Sequence, residues 1–185
     1  MNDMKNIIFR FCIIILPIMI LVSCKSSPTS MMIDSFSKQS IKIPHELEVI
    51  AEGKVCKFHS DSLLPYKFVI YYDSKNCFPC RIAHLIENEE LHKLSIGSRK
   101  FSVINIFSPL IEDVDDTRNT LILSKNKYPV YLDANSNFPK LNPQIPDDRR
   151  FHYFLLDSLN YPIFVGNPDA TASLNKLFKE ALKIK

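Results

Sequence analysis

The stretch KFVIYYDSKNCFPCR, Lys67 to Arg81, decides the fold. Its first residues are rich in β-branched and aromatic side chains, which is typical of a buried strand. Two cysteines, Cys77 and Cys80, follow three positions apart, and a helical pattern begins at about Pro79. A strand that leads directly into a cysteine pair and a helix indicates an α/β domain with its functional site at the carboxyl end of that strand.

The rest of the chain predicts a central mixed β-sheet flanked by helices. The segments Glu46 to Ile50 and Lys54 to Phe58 alternate around Gly53 and predict an N-terminal β-hairpin. Strands alternating with helices imply βαβ units and a sheet covered on both faces. Further strands are predicted at Lys100 to Phe107, Tyr128 to Asp133, Phe151 to Leu156 and Tyr161 to Val165, and helices from Pro79 to about Ile96, from about Ile111 to Lys125 and from about Thr171. The last helix carries a stripe for packing on the sheet: Leu174, Leu177, Phe178, Ala181 and Leu182.

The position of the two cysteines predicts different roles for them. Cys77 precedes a helix, where free backbone N–H groups and the positive end of the dipole favour a thiolate, so we expect it to be the attacking thiol. Cys80 lies about one turn later and could resolve a mixed disulfide by intramolecular attack. A purely structural clip is the alternative, but a bridge between Cys77 and Cys80 closes too short a loop to constrain the unfolded chain much.

A zinc site is the sharpest rival interpretation. Cys56 and His59 form a C-x2-H pair, and with Cys77 and Cys80 they could supply three sulfurs and one nitrogen. The hairpin would then have to meet the cysteine pair across a central strand. Taken alone, Cys56 is expected to be a small buried residue of a strand, and a redox partnership with Cys77 or with another protein is the alternative.

The N-terminal residues predict export. Cations precede a twelve-residue apolar run, Phe11 to Val22, which is short for a membrane span and typical of a secretory signal. The run ends in LVSC, which resembles the lipobox of bacterial lipoproteins and implies lipidation of Cys24. We therefore expect a signal peptide over 1–23, a flexible serine-rich tether over 24–40 and one domain over 41–185. An uncleaved N-terminal anchor helix is the alternative, and both place the domain outside the cytoplasm on a membrane.

Composition bounds the classes of partner. A hydrophobic content of 46% argues against disorder, and a formal net charge of +3 lacks the basic excess of a nucleic-acid-binding protein.

The strand, the C-x-P-C motif and the helix resemble the thioredoxin fold. YPVYLD at Tyr128 to Asp133 and FLLD at Phe154 to Asp157 are similar to the inserted and late strands of membrane-anchored thioredoxin-like reductases. Together with VGNP and the lipobox, they resemble a group of small thioredoxin-like lipoproteins of Gram-negative bacteria, over residues 41–185.

The resemblance implies a thiol–disulfide oxidoreductase in which Cys77 and Cys80 form the catalytic redox disulfide. Its substrates would be protein thiols and disulfides, and the C-x-P-C motif resembles the reducing end of the family. A reductase in an oxidising compartment implies an electron-donor protein in the membrane. No organic cofactor is needed, because the dithiol carries both electrons. The expected location is the cell envelope, facing the periplasm, in the outer membrane.

The chain departs from the family at three positions. Asn76 stands where these reductases usually carry Trp, and Tyr71 stands where they carry a buried acid. The family's cis-proline would fall near Arg150 or Phe151, and the nearest proline is Pro146. The missing Trp and cis-proline favour a second function class, a non-enzymatic interaction module of an envelope assembly.

Three further side chains near the motif have two interpretations each. Asp73 could serve as the missing acid or could cap the turn or helix, as Asp often does. Phe78 could contact partner proteins or cover the domain. His152 lies by the loop expected opposite the disulfide, where a surface or core histidine is the alternative to a functional one.

Overall fold

The structure is a computed structural model that describes residues 27–58 and 62–183. The chain divides into two compact units, Met1–Met32 and Ile33–Lys185. Residues 27–32 are the described part of the first unit. Helix α1 spans Pro28–Ser37 and ends within the second unit.

The second unit is built on a seven-stranded mixed sheet with the order β2-β1-β5-β4-β3-β6-β7. The strands are β1 (Glu48–Ala51), β2 (Lys54–Lys57), β3 (Tyr66–Tyr72), β4 (Phe101–Phe107), β5 (Val130–Leu132), β6 (Tyr153–Leu156) and β7 (Pro162–Val165). The helices are α2 (Phe78–Ala83), α3 (Glu89–Ser98), α4 (Val114–Ser124), α5 (Asn137–Leu141) and α6 (Ala172–Ala181), with short 3-10 turns at Leu85–Asn88, Ile111–Asp113 and Arg149–Phe151.

Three parallel strands form the centre of the sheet. β3 pairs with β4, and β4 pairs with β5, all in the same direction. β6 joins β3 antiparallel on one side and pairs with β7, while the β1–β2 hairpin joins β5 antiparallel on the other. Because β3 and β4 are parallel, the cysteine motif after β3 and the acidic segment after β4, Glu112 to Asp116, reach the same edge of the sheet.

The two faces of the sheet bury separate cores. Alternate residues of β3 point to opposite faces: Phe68 and Tyr72 pack in one core with Phe178 of α6, and Val69 and Tyr71 pack in the other. The first core also receives buried side chains of α2, α3 and α4, and the second receives Phe36, Phe138, Phe151 and Phe154. The predicted architecture, a central mixed sheet covered by helices on both faces with an N-terminal hairpin, is confirmed.

The hairpin turn explains the glycine between β1 and β2. Glu52 and Gly53 have φ angles of 51° and 76°, as both central residues of a two-residue hairpin turn require. A Cβ at Gly53 would also lie 3.1 Å from the Ile122 carbonyl oxygen of α4, so this position is restricted by space as well as by conformation.

The predicted helix after the cysteines is divided into three segments. α2 ends at Ala83, a 3-10 turn covers Leu85–Asn88, and α3 begins at Glu89. At the second junction the Asn88 side chain turns inward and donates to the Tyr72 hydroxyl at 3.3 Å and to Asn105 Oδ1 at 3.4 Å. This inward contact accompanies the interruption of the helix, which the apolar pattern does not reveal.

The segment predicted to be a flexible tether contains helix α1. Phe36, on its last turn, is 1% exposed and packs edge-to-face on Phe154 with ring centroids 5.3 Å apart. The sequence does not predict this contact, because a single buried aromatic residue in a serine-rich segment makes no periodic pattern.

The C-terminal helix α6 packs as predicted along most of its stripe. Thr171 caps it by accepting a hydrogen bond of 3.2 Å from the Leu174 amide. Phe178 and Leu182 are buried, but Leu177 is 53% exposed, so the packed stripe is narrower than the sequence predicts.

Among the described residues, no helix combines the length and the apolar character that crossing a bilayer requires.

Candidate active site

A disulfide joins Cys77 and Cys80 at the amino end of α2, with their Cα atoms 5.4 Å apart. Cys77 is the N-cap residue of α2, with extended backbone angles, and Pro79 lies in the first turn. The Cys77 carbonyl oxygen accepts the first helical hydrogen bond, from the Arg81 amide at 3.0 Å. Both cysteines are exposed. The structure therefore brings the two predicted residues together at the carboxyl end of the central strand, within reach of another protein.

Asp73 and Asn76 fix the loop between β3 and α2. Asp73 Oδ1 accepts hydrogen bonds from the Lys75 amide at 3.1 Å and from Asn76 Nδ2 at 2.6 Å. The Asp73 carbonyl oxygen accepts a third, from the Asn76 amide at 3.0 Å. Asp73 thus makes the capping contacts of a turn, which was the alternative to its role as an acid. Asn76 contributes its amide and its side chain to the same turn.

Phe78 belongs to the core. It is 6% exposed and packs against Phe107 of β4, with ring centroids 5.7 Å apart. Of the two interpretations of Phe78, the structure supports the one in which it covers the domain, because its ring packs toward the sheet. Pro79 is exposed in its place.

Tyr71 replaces the expected acid with a neutral, buried hydroxyl group. Its side chain lies against Ser108, whose hydroxyl donates to Asp133 Oδ2 at 2.9 Å. Burial, and after it the negative charge of Asp73, raises the pKa of Tyr71 above its ordinary value. A phenol held neutral in this way does not take the proton of a thiol at neutral pH.

The segment before β6 carries a 3-10 turn and a buried histidine. Asp148 caps the turn by accepting a hydrogen bond from the Arg150 amide at 3.0 Å. His152 follows, is 3% exposed, and its Nε2 lies 3.0 Å from the Pro146 carbonyl oxygen. Its own carbonyl oxygen accepts from the Tyr71 amide at 2.9 Å, so this segment is hydrogen-bonded to the strand that leads into the cysteine motif. His152 is a core histidine.

A cleft of about 260 Å³ lies directly beside Cys77. One wall is formed by the cysteine motif and α2, and the other by the start of α4. Its lining includes Asn76, Cys77, Pro79, Ile82, Asp113 and Asp116. Sequence reasoning did not identify Asp113 and Asp116 as residues of this site. The parallel pairing of β3 and β4 is the signal that could have placed them at this edge.

A second cleft, of about 430 Å³, lies on the other side of the loop. Ser74 and Lys75 line it together with Pro109 and Leu110 from the end of β4 and with Pro143 and Ile145. The loop before Cys77 therefore forms a wall of one cleft, and Cys77 itself lines the other.

The zinc set is not brought together by the described residues. Cys56 lies on the edge strand β2, and β1, β5 and β4 separate it from β3. His59 lies outside the described residues. Within the described ranges, no three metal-binding side chains are grouped as a metal site would require. The predicted burial of Cys56 is wrong, because it is an exposed free thiol on a strand whose side chains are all exposed.

The predicted lipidation site, Cys24, also lies outside the described residues, as does the predicted signal peptide over 1–23.

The site contains what thiol–disulfide exchange needs: an exposed disulfide, a helix amino end at its first sulfur, and open clefts for a second polypeptide.

Comparison with known proteins identifies similar solved structures. No protein-family model and no curated protein matches the sequence.

Two solved structures are similar in fold. One is an uncharacterized thioredoxin-like protein from Porphyromonas gingivalis, 16% identical, with a TM-score of 0.43 over 79% of this chain and 93% of that one. The other is a candidate thiol:disulfide interchange protein DsbE from Chlorobium tepidum, 19% identical, with a TM-score of 0.46 over 78% of this chain and 97% of that one. The part of the predicted fold class that the strand order confirms is an α/β fold with a central mixed sheet, and the cysteine pair lies at the carboxyl end of β3.

Proposed function

We propose that this chain is a thiol–disulfide oxidoreductase of the cell envelope that acts through Cys77 and Cys80. The observation that carries the proposal is the exposed Cys77–Cys80 disulfide at the amino end of α2, at the carboxyl end of the central strand β3. A disulfide in this place closes only a short loop and stabilises the fold little, so exchange chemistry gives it a use that packing does not.

Cys77 is the attacking thiol in this proposal. As the N-cap it meets the backbone N–H groups of the first helical turn, which favour a thiolate. The Cys77 thiolate attacks one sulfur of a substrate disulfide, and the other substrate sulfur leaves as a thiolate. Cys80 then attacks the Cys77 sulfur, which releases the reduced substrate and restores the internal disulfide. Two electrons pass from the dithiol to the substrate.

Trapping with a defined substrate tests these roles. The full chain is prepared with Cys12, Cys24 and Cys56 replaced by serine, so that Cys77 and Cys80 are its remaining cysteines, and is reduced and mixed with insulin. We expect Cys80→Ser to accumulate a mixed disulfide with insulin that dithiothreitol releases, and Cys77→Ser to accumulate far less. Equal trapping by both variants would contradict the assignment of Cys77 as the attacking thiol. No trapping by either variant would refute exchange.

The proposed direction is reduction. It needs a reduction potential near or below about −200 mV, as in reducing members of redox couples, whereas a value near about −120 mV belongs to an oxidant. Equilibration with glutathione buffers measures this potential. A reductase outside the cytoplasm also needs a dithiol donor to regenerate it, and we propose a membrane protein as that donor.

Membrane attachment through Cys24 is a separate part of the proposal. It rests on the LVSC sequence, Leu21 to Cys24. We expect the chain produced in a Gram-negative host to partition into the detergent phase and to be found in the outer membrane, facing the periplasm. Cys24→Ala is expected to move it to the aqueous phase, and an unchanged partition would contradict lipidation.

A non-enzymatic interaction module is the second candidate function. The observation that favours it is the region before β6, where a 3-10 turn and the core residue His152 stand in the place of the family's proline. A module of this kind would trap no mixed disulfide in the insulin experiment.

A further inference from the structure

The connection between β4 and α4 exposes apolar side chains at the same edge of the sheet as the disulfide. Ile111 is 81% exposed and Leu110 is 47% exposed, in adjacent positions. Leu110 lines the cleft beside Lys75, and Asp113, two residues after Ile111, lines the cleft beside Cys77. The connection therefore presents an apolar ridge between two clefts that flank the cysteine motif.

The cleft beside Cys77 carries negative charge on its far wall. Asp113 and Asp116 line it together with Thr117 and Thr120. Asp115, between them in sequence, pairs instead with Arg118. Asp113 and Asp116 form no ion pair with any described residue, so their charges are free to act on a molecule that enters the cleft.

The nearby cations do not balance these charges. The Lys75 ammonium is 3.0 Å from Asp147 Oδ1, on the other side of the loop. Among the described residues, Arg81 forms no ion pair with Asp113 or Asp116. The reactive sulfur thus lies next to a cleft with two uncompensated carboxylates.

We propose that this ridge and cleft dock a substrate polypeptide in which an apolar residue and basic residues flank the cysteine that Cys77 attacks. The proposal rests on the proposed function and adds a substrate class to it. The apolar residue would cover Ile111 and Leu110, and a Lys or Arg side chain would reach Asp113 and Asp116. Exchange then proceeds as described above, with the Cys77–substrate bond formed as the substrate disulfide breaks.

Charge complementarity acts twice in this arrangement. The carboxylates attract a cationic segment and raise its local concentration at the sulfur. They also disfavour the Cys77 thiolate, and a bound cation offsets this effect. Both effects raise the rate for a basic substrate, and salt screens both.

Two synthetic peptides provide the test. Each carries one cysteine in a mixed disulfide with 2-thiopyridine, a leucine beside it, and either two lysines or two glutamates around it. The protein is the full chain with Cys12, Cys24, Cys56 and Cys80 replaced by serine. Attack by Cys77 joins the peptide sulfur to the protein and releases 2-thiopyridone, whose absorbance gives a second-order rate constant in one step.

We expect the lysine peptide to react about tenfold faster than the glutamate peptide at low salt, and about twofold faster in 1 M salt. The double variant D113N/D116N is expected to remove most of this ratio. The matched control is E112Q/D115N, which removes two charges from the same run outside the cleft and is expected to keep the ratio.

A further variant tests the apolar half of the surface. Ile111→Ser is expected to slow the reaction of a leucine-bearing peptide about threefold, because apolar contact area is lost, and to leave the rate of a serine-bearing peptide unchanged. Because Ile111 is exposed, the substitution removes no core packing. Equal rates for lysine and glutamate peptides, or equal effects of the two double variants, overturn the docking proposal and leave the proposed function standing. Failure of every peptide to react with Cys77 overturns both.

Discussion

The Arg149 guanidinium donates a hydrogen bond of 2.9 Å to the Lys75 carbonyl oxygen. This contact joins the turn before β6 to the loop that leads into Cys77. The Lys75 ammonium lies 3.0 Å from Asp147 Oδ1, which adds a second link between the same two segments. The cysteine motif is therefore held at its amino side by contacts with a segment that is remote in sequence.

Arg149→Ala is expected to loosen this loop without destabilising the domain. Both contacts are exposed, so the free energy of unfolding should change by less than about 0.5 kcal/mol. Opening of the loop alone should become easier, and amide hydrogen exchange at residues 75–77 should accelerate several-fold. Hydrogen-exchange mass spectrometry and urea denaturation measure the two effects.

Arg150→Ala is the control for this experiment. Arg150 pairs with Asp148 within its own turn, and among the described residues no hydrogen bond or ion pair joins its side chain to the cysteine loop. If both variants accelerate exchange at residues 75–77 equally, the effect belongs to the turn in general and the link from Arg149 to Lys75 is not what restrains the loop.

Phe78 provides a test of the core beneath the cysteine motif. Phe78→Ala removes a ring packed on Phe107 and should cost about 3–5 kcal/mol. Phe78→Leu should cost less, about 1–2 kcal/mol, and keeps the variant measurable if the alanine variant does not fold. Urea denaturation of the oxidised protein gives both values. Ile111→Ala, at an exposed position, is expected to cost less than about 0.5 kcal/mol. A similar small cost for Phe78→Ala would contradict its place in the core.

Most strands could be predicted because their residues alternate or form apolar runs at the lengths that strands have. The predicted strands KFVIYY and KFSVINIF correspond to β3 and β4 in the structure. The cysteines lie at the start of a helix, as Pro79 indicates. Helix α1 could not be predicted, since its burial depends on Phe36 finding Phe154 across the chain. Periodicity reports a local pattern, and one long-range aromatic contact leaves none.

The cysteine pair of the candidate site could be predicted from the sequence, but its surroundings could not. Asp113 lies 36 positions after Cys77 in the printed sequence, and only the parallel pairing of β3 and β4 puts both at one edge. The two interpretations of Phe78 stayed open for a related reason. A single aromatic residue between two exposed cysteines gives no indication of which way its ring turns until the helix and sheet are packed.

Asp133 is expected to be important for the same edge of the sheet. It is 1% exposed, and its two carboxylate oxygens accept hydrogen bonds from Ser108 Oγ at 2.9 Å, from the Asn137 amide at 2.9 Å and from the Phe138 amide at 2.8 Å. Asp133→Asn replaces one acceptor with an N–H donor that faces another donor. We expect a loss of about 2–3 kcal/mol in the free energy of unfolding.

Asp169→Asn serves as the control for Asp133, because Asp169 is exposed and should change stability by less than about 0.5 kcal/mol. Thermal and urea denaturation give the comparison. Equal stability of the two variants would show that the buried carboxylate is not required to fix the start of α5.

His92 is expected to make stability depend on pH. It is 6% exposed and stacks on Tyr128 with ring centroids 4.1 Å apart. Its Nε2 atom lies 3.2 Å from Asn105 Nδ2. Burial lowers the pKa of His92 from its ordinary 6.5 to about 4. The unfolded chain therefore binds a proton near pH 6.5, whereas the folded chain binds it only near pH 4. The unfolding free energy should fall as the pH drops through this window, by at most about 3 kcal/mol.

Urea denaturation at several pH values between 7 and 4 measures this dependence, and His92→Gln is expected to make it shallower. His84→Gln is the matched control, because the His84 side chain is 62% exposed and pairs with Glu87 at the surface. Only the His92 variant is expected to flatten the profile, because His92 is the buried one of the two histidines. If His92→Gln retains the full slope, other groups cause the acid sensitivity, and the buried imidazole is not the element that protons disrupt.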